Sequence, residues 1–409
     1  MIDESSKSAF SELVKQAGLQ PREALAETKK PHQSLTIGVP KETILQEHRV
    51  ALTPSSVNLL INNGNDVLIE SGAGKFAHFS DKEYSEAGAK ICYSKSEVYK
   101  CDVIVKVEPP EIEEIQMLSS NQLLISAIQL ANKNNAYIKA LMEKKLTAIA
   151  FEFLQSEDNI YPIVRSMSEI AGTSAISVAS EYLSSNNGGK GEMLGGVTGI
   201  PPTEIVIIGA GTVGEYAARA ALGVGASVKV FDNSLEKLRR LQNNLGVKIF
   251  TSLIHPKILN KALLSADVAI GCLWSEEGRC PCVVTEETVS EMKPKSVIID
   301  IFIDQGGCFE TSEITTHDKP IFIKHEVIHY CVPNIASRVS RTASYALSNV
   351  LTPILLEISE EGGITNYIWA KPEARHGVYI YKGSLTNKHI GKRLNIYSKD
   401  IDLLLAARA

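Results

Sequence analysis

The chain has 409 residues, of which 44% are hydrophobic and 22% charged, and its formal net charge is −5. This length accommodates two ordinary domains, and the composition is typical of a soluble globular protein. The negative charge argues against nucleic acid as a partner, and no apolar run reaches the ~18–20 residues of a membrane span. The acidic N-terminus lacks the apolar segment of a secretory signal, so we expect a cytoplasmic protein.

Residues 1–34 are predicted to be an N-terminal extension with an amphipathic helix that ends near Ala26. From Leu35 onward, apolar segments of strand length alternate with stretches of helical spacing such as 54–63, 81–88 and 132–145. The predicted strands are Leu35–Val39, Asp66–Ile69, Asp102–Val107, Leu123–Ile128 and Leu146–Phe151. Such alternation predicts a parallel sheet with helices on both faces.

A second alternating series begins after residues 186–202, whose six glycines and two prolines predict a loop or hairpin. Its predicted strands are Glu204–Gly209, Ser227–Asp232, Asp267–Cys272, Ser296–Ile301 and Ile328–Val332. Residues 334–361 favour one long helix, disturbed at Pro353, that returns across the first domain. The tail from Tyr367 shows short strand and turn signals. We therefore predict an α/β fold with two doubly wound, Rossmann-like domains.

The most informative motif is GAGTVG at residues 209–214, which matches G-x-G-x-x-G. By itself this pattern is weak, but here it follows an apolar strand and opens a helical stretch, and the next strand ends in Asp232. This strand–turn–helix context is the one that a dinucleotide-binding site requires. Two alternatives stay open: a glycine-rich turn that binds nothing, and FAD, which shares the fingerprint.

Each part of the motif has a physical role in binding a dinucleotide. Gly209 permits the tight turn, Gly211 keeps side-chain atoms away from the pyrophosphate, and Gly214 lets the helix pack closely on the strand. Free backbone amides at the helix start, near Thr212 and Val213, face the phosphates. The Asp232 carboxylate can accept hydrogen bonds from both ribose hydroxyls and repels a 2′-phosphate, which favours NAD over NADP.

The seven cysteines do not predict a metal site or a disulfide framework. Their number is odd, the chain is long, and Cys280-Pro-Cys282 is too tightly spaced for an ordinary zinc site. We expect reduced thiols and no metal.

Several strings, read together, resemble the alanine dehydrogenase family and its relative, the NAD-binding subunit of nicotinamide nucleotide transhydrogenase. They are GVPKET at 38–43, RVALTP at 49–54, MSEIAG at 167–172, LGGV at 194–197, DIFIDQGGCFE at 300–310, HYCV at 329–332 and KGSLTN at 382–387. The resemblance covers about residues 35–400. MSEIAG and DQGGCFE are closer to alanine dehydrogenase than to transhydrogenase.

The resemblance implies an NAD-binding domain, 171–339, inserted into a discontinuous substrate domain of 35–170 plus 340–409. The active site would lie in the cleft, at the carboxyl ends of the strands. The implied reaction is oxidative deamination of L-alanine to pyruvate and ammonia, or its reverse, with a small amino or keto acid as substrate. It also implies a homo-oligomer, typically a hexamer.

Site residues follow from the resemblance position by position. Arg49 matches the arginine that binds the substrate carboxylate, although a surface salt bridge is the alternative. Asp304 matches a catalytic aspartate at the nicotinamide and substrate end. The further cofactor contacts implied are Ser168, Lys237, Ile303, Asp304 and Asn334, where Asn334 lies in the loop that closes on the nicotinamide. Lys237 could equally be plain helix surface.

Two catalytic positions depart from the family pattern. Where the family has a catalytic lysine after Lys-Val, this chain has Glu108, and where the family has an acid/base histidine, this chain has Gln129. Glutamine does not titrate near neutral pH, and a carboxylate at 108 would repel a substrate carboxylate. Among nearby histidines, His48 is the first to test, His78 is expected to be solvated, and His329 is expected to be a satisfied core residue.

Three functional hypotheses follow. The first is an NAD-dependent alanine dehydrogenase with weak or absent activity on alanine. The second is a dehydrogenase for another amino or keto acid, in which Glu108 pairs with a cationic substrate group. The third is a catalytically silent or transhydrogenase-like NAD-binding protein, because the transhydrogenase subunit also lacks the lysine and histidine.

Overall fold

The computed structural model describes residues 32–407 except 45, 130–132 and 275–278. Most of the predicted extension, including its helix, lies outside these described residues. The strands are β1 (Thr36–Val39), β2 (Asp66–Glu70), β3 (Lys90–Cys92), β4 (Val103–Val105), β5 (Leu123–Ser126), β6 (Thr147–Ala150), β7 (Glu204–Ile208), β8 (Ser227–Asp232), β9 (Phe250–Leu253), β10 (Val268–Gly271), β11 (Val297–Asp300), β12 (Ile321–Lys324), β13 (Val327–Tyr330), β14 (Val378–Tyr381) and β15 (Ser384–Leu385).

The helices alternate with these strands for most of the chain. They are α1 (Pro54–Asn62), α2 (Asp81–Glu86), α3 (Lys95–Val98), α4 (Ile112–Met117), α5 (Asn135–Glu143), α6 (Pro162–Leu183), α7 (Thr212–Gly223), α8 (Leu235–Leu245), α9 (Pro256–Ser265), α10 (Glu286–Ser290), α11 (Ser340–Glu360), α12 (Ile364–Ala370), α13 (Lys388–Leu394) and α14 (Ile401–Ala406).

In the described part of the chain, eight strands form the first sheet, in the order β15-β14-β6-β5-β4-β1-β2-β3. Strands β1 to β6 are parallel, and β14 joins β6 antiparallel. The strand order reverses at β1, which pairs with both β2 and β4. A crevice outside the carboxyl ends of β1 and β4 is therefore the expected ligand position in this sheet.

The second sheet contains seven strands within the described residues, in the order β12-β13-β11-β10-β7-β8-β9. All its pairs are parallel except β12 with β13. Its order reverses at β7, between β8 and β10. Each sheet has buried apolar clusters on its faces, which helices cover. The predicted fold class, two doubly wound Rossmann-like α/β domains, is confirmed.

The domain bounds predicted above stay a prediction, although sheet membership is in accord with them. Strands from the stretches 36–150 and 378–385 form the first sheet, and strands from 204–330 form the second. Sequence patterns missed β3, β9 and β12 because these strands are short, and the central residues of β9 and β12 are partly buried or exposed. Residues 334–339 do not continue the long helix, since Asn334 is left-handed (φ 57°) and a 3₁₀ helix, Ile335–Val339, precedes α11.

Two long helices fix the parts that surround the cleft. Helix α6 packs against α7 so closely that a Cβ on Gly172 would lie 2.3 Å from the Val213 carbonyl oxygen. Helix α11 presents hydroxyl groups to the segment after β1, and its Ser344 and Ser348 accept hydrogen bonds from the amides of Val50 (2.9 Å) and Thr53 (3.0 Å). The segment that carries Arg49 is thus held to a rigid element.

Candidate active site

The glycine-rich turn has the geometry that its sequence predicts. Gly209 has φ +123°, and its amide donates to the Phe231 carbonyl at 2.7 Å. A Cβ on Gly214 would lie 1.9 Å from the Gly209 carbonyl oxygen, whereas a Cβ on Gly211 would meet no atom within 4 Å. The turn is therefore tight on its protein side and open on its outer side. Thr212 and Val213 begin α7 beside this open space.

Asp232 lies at the end of β8 and is 3% exposed. Its Oδ2 accepts from the Ala210 amide at 2.7 Å, and its Oδ1 accepts from the Ser234 amide at 2.7 Å. The carboxylate is thus joined to the glycine-rich turn. Each carboxylate oxygen can accept a further hydrogen bond, so these contacts leave capacity for ribose hydroxyls. Lys237 is exposed on α8, where its amide donates to the Ser234 hydroxyl.

The DQGG turn follows β11 at the same edge of the second sheet. Ile303 is buried, while Asp304 reaches solvent. Surrounding protein atoms partly desolvate the Asp304 carboxylate, and this desolvation raises its pKa. Behind the turn, Asp300 Oδ2 accepts from the Cys308 amide at 2.8 Å and the Ser312 hydroxyl at 2.8 Å. Asp300 therefore fixes the shape of the segment that carries Asp304.

The crevice of the first sheet holds a cluster of charged side chains instead of bare backbone. Arg49 forms a two-point ion pair with Glu47, in which Nε donates to Oε1 at 2.8 Å and Nη2 donates to Oε2 at 2.6 Å. Arg49 Nη2 also lies 3.5 Å from Glu108 Oε1. Its other terminal nitrogen, Nη1, has a weak contact with Met167 Sδ at 3.5 Å. The predicted alternative of a surface salt bridge does not describe Arg49, whose side chain is 11% exposed.

Glu108 and Gln129 lie in direct contact. Gln129 Nε2 donates to Glu108 Oε2, and the Gln129 backbone is left-handed (φ 46°). Burial raises the pKa of Glu108, Glu47 raises it further, and Arg49 opposes both effects. For Glu47, burial alone would raise the pKa, but the charge and the hydrogen bonds of Arg49, with a contribution from Glu108, together lower it. The two positions predicted to depart from the family pattern therefore form one hydrogen-bonded pair beside Arg49.

A buried charge network supports the loop that carries Glu108. Lys106 is fully buried, donates to Glu114 Oε2 at 2.8 Å, and lies 3.6 Å from Glu42 Oε2. Glu42 Oε1 accepts from the Val107 amide at 2.6 Å, and its Oε2 accepts from the Glu108 amide at 3.4 Å. Burial raises the pKa of Glu42 to about 7, against the opposing effect of Lys106. Because Lys106 is held by these carboxylates, it is not free to take the role of the lysine that the resemblance leads one to expect at position 108.

The two sheet edges contact each other through the segment before Arg49. Asn334, in the second domain, donates from Nδ2 to Glu47 Oε2 at 2.8 Å. Ser337 donates to Glu47 Oε1 at 3.3 Å and accepts from the His48 amide at 2.8 Å. The predicted closing-loop residue thus contacts the carboxylate that holds the predicted substrate arginine. Ser168, half-buried on α6, completes the set of predicted site residues.

The three histidines have different surroundings. The His48 ring stacks on Phe76, with ring centres 5.0 Å apart. His78 is exposed, as expected, and its carbonyl accepts from Arg341. His329 is a satisfied core residue, as expected, because its Nδ1 lies 3.0 Å from the Val327 carbonyl oxygen and its Nε2 lies 2.8 Å from the Thr311 hydroxyl. Burial lowers the pKa of His329 to about 4.

Sequence reasoning missed Glu47 and Glu42 as functional candidates. Both lie inside or beside quoted strings, and a carboxylate two residues before Arg49 on an extended segment was a usable signal for an ion pair. Glu42 gave no such signal, because its partners after β4 are more than sixty residues away.

Within 32–407, outside the gaps, no group of three or more His, Cys, Asp and Glu side chains could hold a metal ion. The helices of the same residues include none that is long and apolar enough to cross a membrane.

Comparisons with known proteins agree with this architecture. The sequence profile "Alanine dehydrogenase/PNT, N-terminal domain" matches residues 38–171, and "Alanine dehydrogenase/PNT, C-terminal domain" matches residues 175–388. Alanine dehydrogenase 2 of Staphylococcus aureus is 37% identical over 369 residues, which cover 90% of this chain and 99% of the relative.

Solved structures extend the likeness to three dimensions. An L-alanine dehydrogenase has a TM-score of 0.82 at 34% identity, covering 87% of this chain and 98% of its own. A transhydrogenase from Sinorhizobium meliloti has a TM-score of 0.75 at 23% identity, covering 86% of this chain and 100% of its own. This likeness shows that the two proteins share a fold.

Fold and site together define a class: dehydrogenases that pair a Rossmann-like nucleotide-binding domain with a second doubly wound domain. Within that class, the chain belongs to the alanine dehydrogenase/PNT family, as the matched profiles and the 37% identical relative show.

Proposed function

We propose that this protein is an NAD-dependent amino-acid dehydrogenase that interconverts an L-amino acid with its 2-keto acid and ammonia. The observation that carries the proposal is the contact between Asn334 and Glu47. It brings the loop after β13 against the charged crevice of the first sheet, where Arg49 and Glu108 lie. A nucleotide-binding edge and a substrate-binding edge therefore meet in one cleft.

The glycine-rich turn fits the pyrophosphate of NAD. The open space outside Gly211, the amides at the start of α7 and the Asp232 carboxylate are the groups that would hold the cofactor. When bound, NAD supplies a hydride acceptor. The predicted contacts of Ser168 and Lys237, and those of the closing residues Ile303, Asp304 and Asn334, belong to this proposal.

Arg49 is positioned to bind the substrate carboxylate with one edge of its guanidinium. Glu47 occupies Nε and Nη2, which locks the orientation of the planar group. Nη1, whose described contact is the weak one with Met167, is the edge available to a carboxylate. Glu108 stands on the Nη2 side, so a substrate that binds Nη1 has its carboxylate directed away from Glu108.

We further propose that activity on L-alanine is weak. Glu108 cannot polarise a substrate carbonyl as a lysine ammonium does, and Gln129 cannot act as a general acid or base. Loss of a general acid/base residue lowers a rate by roughly 10²–10⁴-fold. The oligomeric state, a hexamer by resemblance, and the cytoplasmic location stay predictions.

The decisive experiment combines NADH binding with turnover. We expect the purified full chain to bind NADH in a fluorescence titration and to form NADH from L-alanine at least ~100-fold more slowly than the Staphylococcus aureus relative assayed in parallel. An equal rate would contradict the weak-activity proposal. Failure to bind NADH would contradict NAD dependence.

A substrate series separates the remaining hypotheses. L-lysine, L-arginine and L-ornithine test whether Glu108 pairs with a cationic side chain, and matched uncharged amino acids are the control. Turnover of the cationic series alone identifies a dehydrogenase for basic amino acids. Tight NADH binding without turnover of any amino acid supports the catalytically silent or transhydrogenase-like alternative.

A further inference from the structure

The carboxyl groups of Glu47 and Glu108 form a pair beside Arg49, and their surroundings are unequal. Glu47 accepts hydrogen bonds from the Arg49 amide and guanidinium, from Asn334 and from Ser337. Among the described residues, Glu108 accepts one from Gln129 and has a longer ion-pair contact with Arg49. Hydrogen bonds to the charged form stabilise it, so Glu47 is the partner that stays ionised.

The two carboxyl groups also meet at one nitrogen of Arg49, because Nη2 lies 2.6 Å from Glu47 Oε2 and 3.5 Å from Glu108 Oε1, and both glutamates are buried. Two buried carboxylates that approach the same nitrogen cannot both ionise without a large electrostatic cost, so such a pair retains one proton. Arg49 then balances the single negative charge of the pair. This arrangement is an electrically neutral unit of one guanidinium, one carboxylate and one carboxylic acid.

We infer that Glu47 and Glu108 share one proton, that this proton resides on Glu108, and that Glu108 is the acid/base group of the substrate site. The inference rests on the proposed function. It also revises one expectation, because Glu108 then performs the acid/base role that the resemblance assigns to a histidine, and its presence is more than the loss of a lysine. Gln129 is a positioning residue, because its amide orients the Glu108 carboxyl and its exposed side chain lies at the cleft.

The proton steps balance around this one carboxyl. In deamination, ionised Glu108 takes a proton from the substrate ammonium, which frees the nitrogen lone pair before hydride transfer. Glu108 releases this proton to solvent and, ionised again, takes a proton from the water that adds to the resulting iminium. The protonated carboxyl then gives its proton to the nitrogen. Ionised once more, it takes the hydroxyl proton of the carbinolamine as the carbon–nitrogen bond breaks and ammonia leaves.

Other charged groups around Glu108 set its titration. Glu42, on the segment after β1, raises its pKa, while Arg49 lowers it. Lys133, which lies 4.5 Å from the centre of the Tyr137 ring, is close enough to interact electrostatically with Glu108. Gln129 donates to the ionised form, so removal of its amide raises the pKa of Glu108 further.

The proton itself can be observed without turnover. We expect infrared spectra of the full chain near neutral pH to contain a protonated-carboxyl carbonyl band to which Glu42 also contributes. This band should weaken in Glu108→Gln and disappear in the wild type at high pH. Glu86→Gln, an exposed carboxylate outside the site, is the matched control and should keep the band. Unchanged NADH affinity in Glu108→Gln shows that the variant is folded. A spectrum that Glu108→Gln leaves unaltered would overturn proton sharing.

Kinetics with the best substrate of the series test the catalytic role. We expect Glu108→Gln to lower kcat/KM by roughly 10²–10⁴-fold and to abolish its acid limb. Gln129→Ala should move the midpoint of that limb to higher pH while the limb remains, which loss of packing alone would not do. A pH profile that Glu108→Gln leaves unchanged overturns the catalytic role but not the dehydrogenase function. Absence of turnover with a normal infrared band overturns the dehydrogenase function instead.

Discussion

Both sheets reverse their strand order at a central strand, but different groups line their carboxyl edges. At the β7 reversal the chain offers bare backbone, with open space over Gly211. At the β1 reversal, buried charged side chains cluster around Arg49 and Lys106. A backbone site needs only shape, whereas a side-chain site depends on which charge each group carries. Sequence motifs describe the first kind of site far better than the second.

The largest loss of stability should come from breaking the buried ion pairs at the charged edge. Lys106→Met leaves Glu114 and Glu42 buried without their shared cation, so we expect a loss of roughly 3–5 kcal/mol in the free energy of unfolding. Lys82→Met, which removes an exposed lysine 3.6 Å from Glu86, should cost less than about 1 kcal/mol. Urea unfolding measures both, and equal losses would mean that the network contributes no more than a surface pair.

The charged edge should also make stability depend on pH. The pKa of Glu42 is raised from 4.5 to about 7 in the folded chain. Its stabilising contribution is therefore complete below about pH 4.5 and is lost as the pH rises through 7. As the pH rises from about 4.5 to 7, the wild type should lose about 3 kcal/mol in its free energy of unfolding that Glu42→Gln does not lose. Parallel stability curves for the two proteins would contradict this origin.

The smallest loss of stability is expected at the backbone edge. There, substitutions at two glycines should affect stability and NADH binding separately. Gly214→Ala places a methyl group 1.9 Å from the Gly209 carbonyl oxygen, so we expect a loss of roughly 1–3 kcal/mol in the free energy of unfolding. Gly211→Ala meets no atom and should fold normally, yet bind NADH more weakly because its methyl group enters the space for the pyrophosphate. The opposite pattern, with a stability loss at 211 alone, would show that the turn does not hold phosphates.

The sequence was sufficient to predict the elements that depend on residues close together along the chain. Short apolar strands between helical stretches predicted both sheets, and the spacing of Gly209, Gly211 and Gly214 predicted the turn. Antiparallel β12 was missed, since half-exposed residues such as Phe322 give no buried-strand pattern. Local patterns carry no information on which distant strands become neighbours.

The charged site was only partly predictable for the same reason. Arg49, Glu108 and Gln129 were singled out from the resemblance, but their mutual contacts join segments that are 21 and 59 residues apart. The contact of Glu47 with Asn334 spans 287 residues. Whether Glu108 is charged depends on these long-range partners, because hydrogen-bond donors from other segments decide which carboxylate keeps the proton.

The bond between Asn334 and Glu47 has a consequence for motion of the two halves. Moving residue 334 and Ser337 away from Glu47 would strip donors from that carboxylate and make it a stronger proton acceptor. Separation of the halves would then be accompanied by proton uptake, and by thermodynamic reciprocity acid would favour the separated arrangement. Entry and exit of ligands would thus be linked to the acidity of the medium, through the Asn334 amide and the Ser337 hydroxyl.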